Sequence, residues 1–179
     1  MFFKRLYILF FIELASRRVH IAGITANPDG AWVTQQARNL VMRLDDEGVR
    51  MRFLIRDRDS KFSASFDEIF RSEGIRVIRA PVRAPRARAH AERWVGSLRR
   101  ECLDRLLILG RRDLASVVRV YAQHYNEHRP HGSLAQRAPL AKPPPMIEKR
   151  TPTTEPLRLA HIRRRERLGG LLHEYERAA

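Results

Sequence analysis

The sequence is poor in cysteine and in long hydrophobic runs. Its one cysteine, Cys102, excludes an internal disulfide and a metal site built from several thiolates, and it fits a reducing cytoplasm. The apolar run Leu6–Ile12 follows Lys4 and Arg5 as in a signal peptide, but Glu13 closes it and no small-residue cleavage site follows. It is far too short to cross a bilayer. We therefore expect a cytoplasmic protein with no membrane partner.

Acidic residues and lysines are also scarce. Of 179 residues, 35 are lysine or arginine and 20 are aspartate or glutamate, which gives a formal net charge of +15 at pH 7. All but Lys4, Lys61, Lys142 and Lys149 of those basic residues are arginines, whose planar fork grips phosphate oxygens in pairs. A GC-rich gene explains part of the arginine content but not the excess over acids. The charge indicates a polyanionic partner, and DNA or RNA is the first candidate.

The hydrophobic pattern predicts an α/β chain. In order, it predicts a strand hairpin over Leu6–Leu14 and Val19–Thr25, a helix over Trp32–Leu44, a strand over Met51–Ile55, a helix over Ser63–Ser72 and a strand over Ile75–Ile78. A mobile basic loop over Ala80–Ala89 and two helices, His90–Leu109 and Arg112–His128, complete a domain spanning residues 1–141. A Pro-rich linker over 142–156 and a basic helical tail over 157–179 follow.

Two acids stand where α/β folds place functional sites. Asp57 directly follows the strand Met51–Ile55, at the carboxyl edge of the sheet, and Glu92 opens a helix 35 positions later. Converging carboxylates can hold a divalent cation, which prefers oxygen ligands. On spacing alone, a turn aspartate and a glutamate favoured by the helix dipole explain the same residues.

A second pattern, His124-Tyr125-Asn126-Glu127-His128, has the H-x-x-E-H form of some zinc proteases. The chain leaves this helix almost at once, at Pro130. We therefore do not expect a zinc site there.

Three segments, taken in order, resemble the integrase core shared by bacterial insertion-sequence transposases and retroviral integrases. They are Asp57-Arg58-Asp59-Ser60-Lys61-Phe62, the stretch from Pro85 to Arg93, and Tyr125-Asn126-Glu127-His128-Arg129-Pro130-His131. They are similar to the family's D-x-G-x-x-F, P-x-x-N-x-x-x-E-R and Y-N-x-x-R-P-H patterns. The turn at 13–18 and the segment 168–175 also resemble family sequences, so the resemblance covers essentially the whole chain.

This resemblance implies a ribonuclease-H-like mixed sheet flanked by helices. It implies DNA integration or transposition by cleavage and strand transfer, with Asp57 and Glu92 as catalytic acids that bind Mg²⁺ or Mn²⁺. The expected DNA-binding residues are Arg83, Arg86, Arg88, Arg93, Arg99 and Arg100. A homo-oligomer is expected of the full-length protein.

Three departures from the family pattern bear on activity. Asp59 replaces a glycine at a position expected to have positive φ, and Arg88 replaces an asparagine. The family's first catalytic aspartate is absent, together with the central strand that carries it, so we expect a truncated and inactive chain. The hairpin should then either pair directly with Met51–Ile55 or stand off with an unpaired edge. The alternative function is a non-catalytic remnant that binds DNA or a transposase partner.

Overall fold

The structure is a computed structural model that describes residues 5–81, 85–141 and 162–177, without the side chains of 85–88 and 177. It has a mixed α/β fold, as expected. Its strands are β1 Tyr7–Ile12, β2 Val19–Thr25, β3 Phe53–Arg56, β4 Arg76–Arg79, β5 Ile162–Arg167 and β6 Leu172–Arg177. Its α-helices are α1 Gly30–Asp46, α2 Ala64–Ser72, α3 Pro85–Glu101 and α4 Arg111–Glu127, with short 3₁₀ turns at Leu103–Arg105 and Gly132–Leu134.

The described strands form three two-stranded sheets. β1 and β2 make an antiparallel hairpin, β3 and β4 pair in parallel across the helix α2, and β5 and β6 make a second antiparallel hairpin. Within the described residues, the first hairpin does not pair with β3. Of the two arrangements considered from the sequence, the hairpin therefore adopts the one in which it stands apart from β3.

Strand β1 lies between two layers of helices, because successive side chains of a strand point to opposite faces. Ile8, Phe10 and Ile12 pack against a buried cluster built from the hairpin, α3 and α4, which we call the α3–α4 cluster. Leu9 and Phe11 pack against a second cluster, built from α1, α2 and Ile75, which we call the α1–α2 cluster. The strand thus joins both halves of the core.

Local sequence signals fix the ends of the first two helices. Asp29 caps α1, with its side chain accepting a hydrogen bond from the Trp32 backbone N–H at 2.7 Å. Gly74 follows α2 with φ of +73°, a conformation that glycine adopts without steric cost. These boundaries lie within two residues of those that the hydrophobic pattern predicts.

The predicted basic loop and the helix after it have different bounds in the structure. The helix α3 begins at Pro85, within the segment predicted as a loop, and ends at Glu101 rather than Leu109. Proline is favoured at the first position of a helix because its missing N–H has no intrahelical partner there. Beyond Glu101, Cys102 leaves the helical conformation with φ of −137° and ψ of −70°, and a 3₁₀ turn follows.

The prediction of a helical tail is wrong. Residues 162–177 form the hairpin of β5 and β6, with Ile162 opposite Arg177 and Arg167 opposite Leu172. The turn between them uses Gly169 and Gly170, with φ of +66° and +86°. A pair of glycines with positive φ reverses the chain, which a continuous helix does not allow. Across the described residues, no helix is both long and apolar enough to cross a membrane.

Candidate nucleic-acid interface

The loop that carries Asp57 is held by a buried ion pair. At the end of β3, the Arg56 guanidinium donates to both carboxylate oxygens of Asp67 on α2, each at 2.7 Å. The side chains of Arg56 and Asp67 are only 5% and 1% exposed. Arg56 also donates to the Asp57 carbonyl at 2.8 Å. Because one planar guanidinium bonds both the Asp67 carboxylate and the Asp57 carbonyl, it holds the backbone at Asp57 in a fixed position relative to α2.

Asp57 itself lies at the carboxyl edge of β3, half-buried, as the sequence predicts. Its carboxylate accepts a hydrogen bond from the Asp59 backbone N–H at 3.0 Å, which closes a local turn. The Asp59 carboxylate pairs with Lys61 at 2.8 Å, and the hydrogen bonds from Lys61 hold the pKa of Asp59 below its usual value. The expectation of positive φ at Asp59 is wrong, because the backbone of Asp59 does not have a positive φ. The side-chain hydrogen bonds within this turn are compatible with ordinary backbone angles.

Glu92 lies on the exposed side of α3. The described residues contain no group of three or more His, Cys, Asp or Glu side chains able to hold a metal ion. The acids present therefore do not by themselves complete the divalent-metal site that the family resemblance implies.

The arginines expected to bind DNA divide between described and undescribed positions. Arg83 lies outside the described residues, as do the side chains of Arg86 and Arg88. Arg93, Arg99 and Arg100 lie exposed on α3. The three arginines with described side chains lie on two different faces of α3. Arg93 and Arg100 line a pocket, whereas Arg99 does not line it and pairs with Asp104 at 3.6 Å.

That pocket, which we call the arginine pocket, has a volume of about 210 Å³. The arginines and histidines of its lining are Arg17, His90, Arg93, Arg100, Arg129 and His131. His90, Arg93, Ser97 and Arg100 follow helical spacing along one face of α3. Arg17 comes from the β1–β2 turn, and Arg129 and His131 follow α4. Sequence reasoning missed these last three, although all belong to motifs quoted for the family resemblance.

The segment after α4 is held by two polar anchors. Buried Asn126 accepts from the Val19 N–H at 2.8 Å and donates to the Val19 carbonyl at 2.9 Å, which ties α4 to β2. Arg129 donates two hydrogen bonds to Glu101, at 2.6 and 2.9 Å. Burial raises the pKa of Glu101, but the bonds from Arg129 and Tyr121 outweigh it and leave that pKa below its usual value. Glu101 is therefore ionised at neutral pH and orients Arg129.

The aromatic and sulfur side chains of this region are structural. Trp94 is 1% exposed and its ring centroid lies 4.2 Å from that of Phe10. Cys102 is fully buried, and burial raises the pKa of its thiol to about 11. Neither side chain is placed to stack on a base or to act as a nucleophile.

The H-x-x-E-H segment makes a different contact. His124 lies in the last turn of α4, His128 directly follows the helix, and both face Glu174 of β6, at 3.4 and 3.6 Å. Arg167 also pairs with Glu174, at 3.1 Å. Arg167 thus balances the charge of Glu174 from within the hairpin. The two histidines of the H-x-x-E-H segment contact the same carboxylate from the core, so this segment helps to attach the C-terminal hairpin.

Comparisons with known proteins agree on the kind of domain. Residues 73–139 match the family model of the integrase core domain. The fold is similar to a chain in the cryo-EM structure of the simian T-cell lymphotropic virus intasome in complex with PP2A regulatory subunit B56 gamma, with a TM-score of 0.57 and 14% sequence identity. That similarity covers 95% of this chain and 64% of the other chain, so this chain spans about two thirds of its length. A search among curated proteins finds no match.

Proposed function

Because residues 73–139 match the family model of the integrase core domain, we propose that the protein binds DNA and serves DNA integration or transposition. The observation that carries the proposal is the arginine-lined face of α3, which lies within the matched segment. In a chain of net charge +15, this surface supplies the cations that phosphates require. We assign this binding role to Arg93, Arg99 and Arg100, together with Arg83, Arg86 and Arg88.

We further propose that the fold is ribonuclease-H-like, with one more strand between β1 and β3. Two observations support this. The strands β1 and β3 belong to separate sheets, so each has an edge with no strand paired to it among the described residues. Leu9 of β1 and Leu54 of β3 nevertheless pack against the same α1–α2 cluster. A strand between them would satisfy the backbone donors and acceptors of both edges.

The catalytic proposal assigns Asp57 and Glu92 as two of the acids that bind Mg²⁺ or Mn²⁺. Bound metal would activate the attacking oxygen and stabilise the leaving oxygen at a phosphodiester. Carboxylate oxygens are suitable ligands for these hard ions. Two acids do not provide the ligands for a two-metal site, so we propose that this chain alone has no strand-transfer activity. In its complete form the protein would work as a homo-oligomer in the cytoplasm.

Activity separates the integrase proposal from its alternative, a non-catalytic DNA-binding remnant. The 179-residue chain is incubated with supercoiled and linear DNA in Mg²⁺ and in Mn²⁺. We expect neither nicking nor joining. Metal-dependent products that disappear in Asp57→Asn would overturn the claim of inactivity. If an amino-terminally extended chain gains Asp57-dependent activity, the remnant alternative is excluded.

DNA binding is tested through its salt dependence. If about five phosphates are neutralised, log affinity should fall with log salt with a slope of roughly −4 to −5. Fluorescence anisotropy with two duplexes of unrelated sequence measures this slope and should give similar affinities for both. The absence of binding in dilute buffer, or binding indifferent to salt, contradicts the proposed function.

A further inference from the structure

The arginine pocket brings together side chains from three separate parts of the chain. Arg17 lies in the β1–β2 turn with φ of +66°, and its guanidinium donates to the Leu14 carbonyl. Arg93 and Arg100 come from α3, and Arg129 and His131 follow α4. The pocket therefore exists only in the folded protein, unlike a run of basic residues along one helix.

Positive charge in the pocket exceeds negative charge. Its lining includes four arginines and no aspartate or glutamate. Glu101 is not part of the lining, and it holds Arg129 through two hydrogen bonds. Arg129 also stacks over the Tyr125 ring, with 5.6 Å between the guanidinium carbon and the ring centroid. One cation is therefore fixed in place, and three others have no carboxylate partner among the described residues.

A buried polar atom in the lining also lacks a partner. The Nε2 of His131 is buried and makes no hydrogen bond within the described part of the chain. A polar atom left unpaired in a buried place is costly unless a ligand or solvent satisfies it. Burial and the neighbouring Arg129 and Arg17 lower the pKa of His131, as burial, Arg17 and Arg93 do for His90. Both histidines are thus neutral at pH 7 and would gain protons beside an anion.

We propose that the arginine pocket binds a phosphate group. Planar guanidinium groups from different directions match the several oxygens of a phosphate, and an imidazole N–H adds a further donor. The proposal that this phosphate belongs to DNA rests on the proposed function, because that function is what makes DNA the expected ligand. Two sources share this chemistry: a phosphodiester within a DNA strand and a terminal phosphate at a DNA end.

Inorganic phosphate tests the pocket without DNA. Titration of the full 179-residue chain, followed by imidazole NMR signals, should shift the resonances of His131 and His90 at the same phosphate concentrations. The double variant Arg93→Ala/Arg100→Ala removes two exposed side chains and should keep the fold. Removing even one charge-assisted hydrogen bond should weaken phosphate binding about tenfold or more.

Arg119→Ala provides the matched control, because Arg119 is an exposed arginine on α4 outside the pocket. It should bind phosphate as the unmodified chain does. Equal weakening in Arg119→Ala and the double variant, or unshifted histidine signals in the unmodified chain, would overturn the proposal. Since these measurements contain no DNA, they stand apart from success or failure of the proposed function.

The source of the phosphate is resolved with duplexes that carry or lack a 5′-phosphate. A terminal-phosphate site predicts tighter binding of the phosphorylated duplex, with the difference abolished in Arg93→Ala/Arg100→Ala. A backbone site predicts equal binding of both duplexes and a salt slope smaller by about one for each arginine–phosphate interaction that the double variant removes. If both duplexes bind the double variant as tightly as the unmodified chain, the pocket does not hold a DNA phosphate.

Discussion

Two buried carboxylates, Asp67 and Glu174, each anchor a different region of the molecule, and they differ in the cations that surround them. Both side chains are 1% exposed. Asp67 is surrounded by arginines, with the bidentate Arg56 at 2.7 Å and Arg79 and Arg71 at 3.4 and 3.5 Å. Because arginine stays charged at all relevant pH values, this network has one electrostatic state until the carboxylate itself is protonated.

Glu174 has one arginine and two histidines. Arg167 belongs to the same hairpin as Glu174, whereas His124 belongs to α4 and His128 directly follows it. Leu172 packs within the α3–α4 cluster, so the hairpin meets the core through an apolar side chain and through polar contacts to Glu174. One of those polar contacts comes from His124, a type of side chain whose usual pKa lies near neutral pH. The Asp67 contacts near the candidate catalytic loop come from arginines and do not change with pH until Asp67 is protonated. The Glu174 contacts that hold the C-terminal hairpin include a histidine, so their strength depends on pH near neutrality.

The largest effect is expected from Asp67→Asn. Removing the carboxylate leaves the Arg56 guanidinium buried without its counterion, which costs about 3–5 kcal/mol of unfolding free energy. Urea unfolding measures the change. Glu68→Gln is the control on the same helix, because the Glu68 side chain is 70% exposed and its pairing with Arg71 is weak.

A double variant sharpens this test. If the cost comes from an unpaired buried charge, Arg56→Met combined with Asp67→Leu should recover much of the stability that Asp67→Asn removes. The double variant should still disturb the loop, because Arg56 donates to the Asp57 carbonyl. Equal stability of Asp67→Asn and Glu68→Gln would show that the Asp67 network does not anchor the loop.

A smaller and local effect is expected from Glu174→Gln. The loss of charge-assisted hydrogen bonds should lower the opening free energy of the hairpin 162–177 by about 1.5–3 kcal/mol. Hydrogen exchange at native conditions measures this opening, and exchange in α1 should change far less. Glu176→Gln is the control: Glu176 lies two positions along the same strand and is exposed. Equal exchange in both variants would refute an anchoring role for Glu174.

The anchors also show how far sequence reasoning reaches. The hairpin β1–β2, the helices α1, α2 and α4 and the strands β3 and β4 were predictable because apolar residues recur there with the strand or helix period. The position of Asp57 at the end of β3 followed from the same pattern. The integrase resemblance was confirmed over residues 73–139.

The C-terminal hairpin was not predictable from hydrophobic spacing, because its first strand is arginine-rich and exposed. On β6, only Leu172 and Glu174 are buried among the described side chains, and one of them is charged. The available signal was Gly169-Gly170 between two short runs, a pattern typical of a β-hairpin. In the sequence, where its partners cannot be seen, Glu174 resembles an ordinary surface acid.

The arginine pocket was missed for a different reason. Arg17, Arg93 and Arg129 are far apart in sequence, and their meeting depends on tertiary contacts such as the Asn126–Val19 hydrogen bonds. Local patterns carry no information about such a meeting.

The smallest predicted effect concerns pH and separates the two anchors most directly. Burial lowers the pKa of His124 from its usual 6.5, despite the opposing effect of Glu174. As pH falls below about 6.5, the opened hairpin takes up a proton at His124 before the closed one does, so closed-state stability decreases. The pKa of Asp67 is also lowered, from 3.8, by Arg56 hydrogen bonds that outweigh burial, so its stabilisation is lost only at still lower pH.

Between pH 6.5 and 4.5, above the usual carboxyl values, hydrogen-exchange protection should therefore fall in residues 162–177 with decreasing pH. Outside the hairpin, His90 and His131 would lower stability in the same direction, because burial also lowers their pKa values. His124→Gln should flatten the dependence in the hairpin, because it removes the titrating group there. His90→Gln, which changes a histidine of the arginine pocket, should leave the hairpin's dependence unchanged. Constant hairpin protection from pH 7 to 5 in the unmodified chain would mean that both carboxylates are permanent anchors, and the distinction between the two regions would disappear.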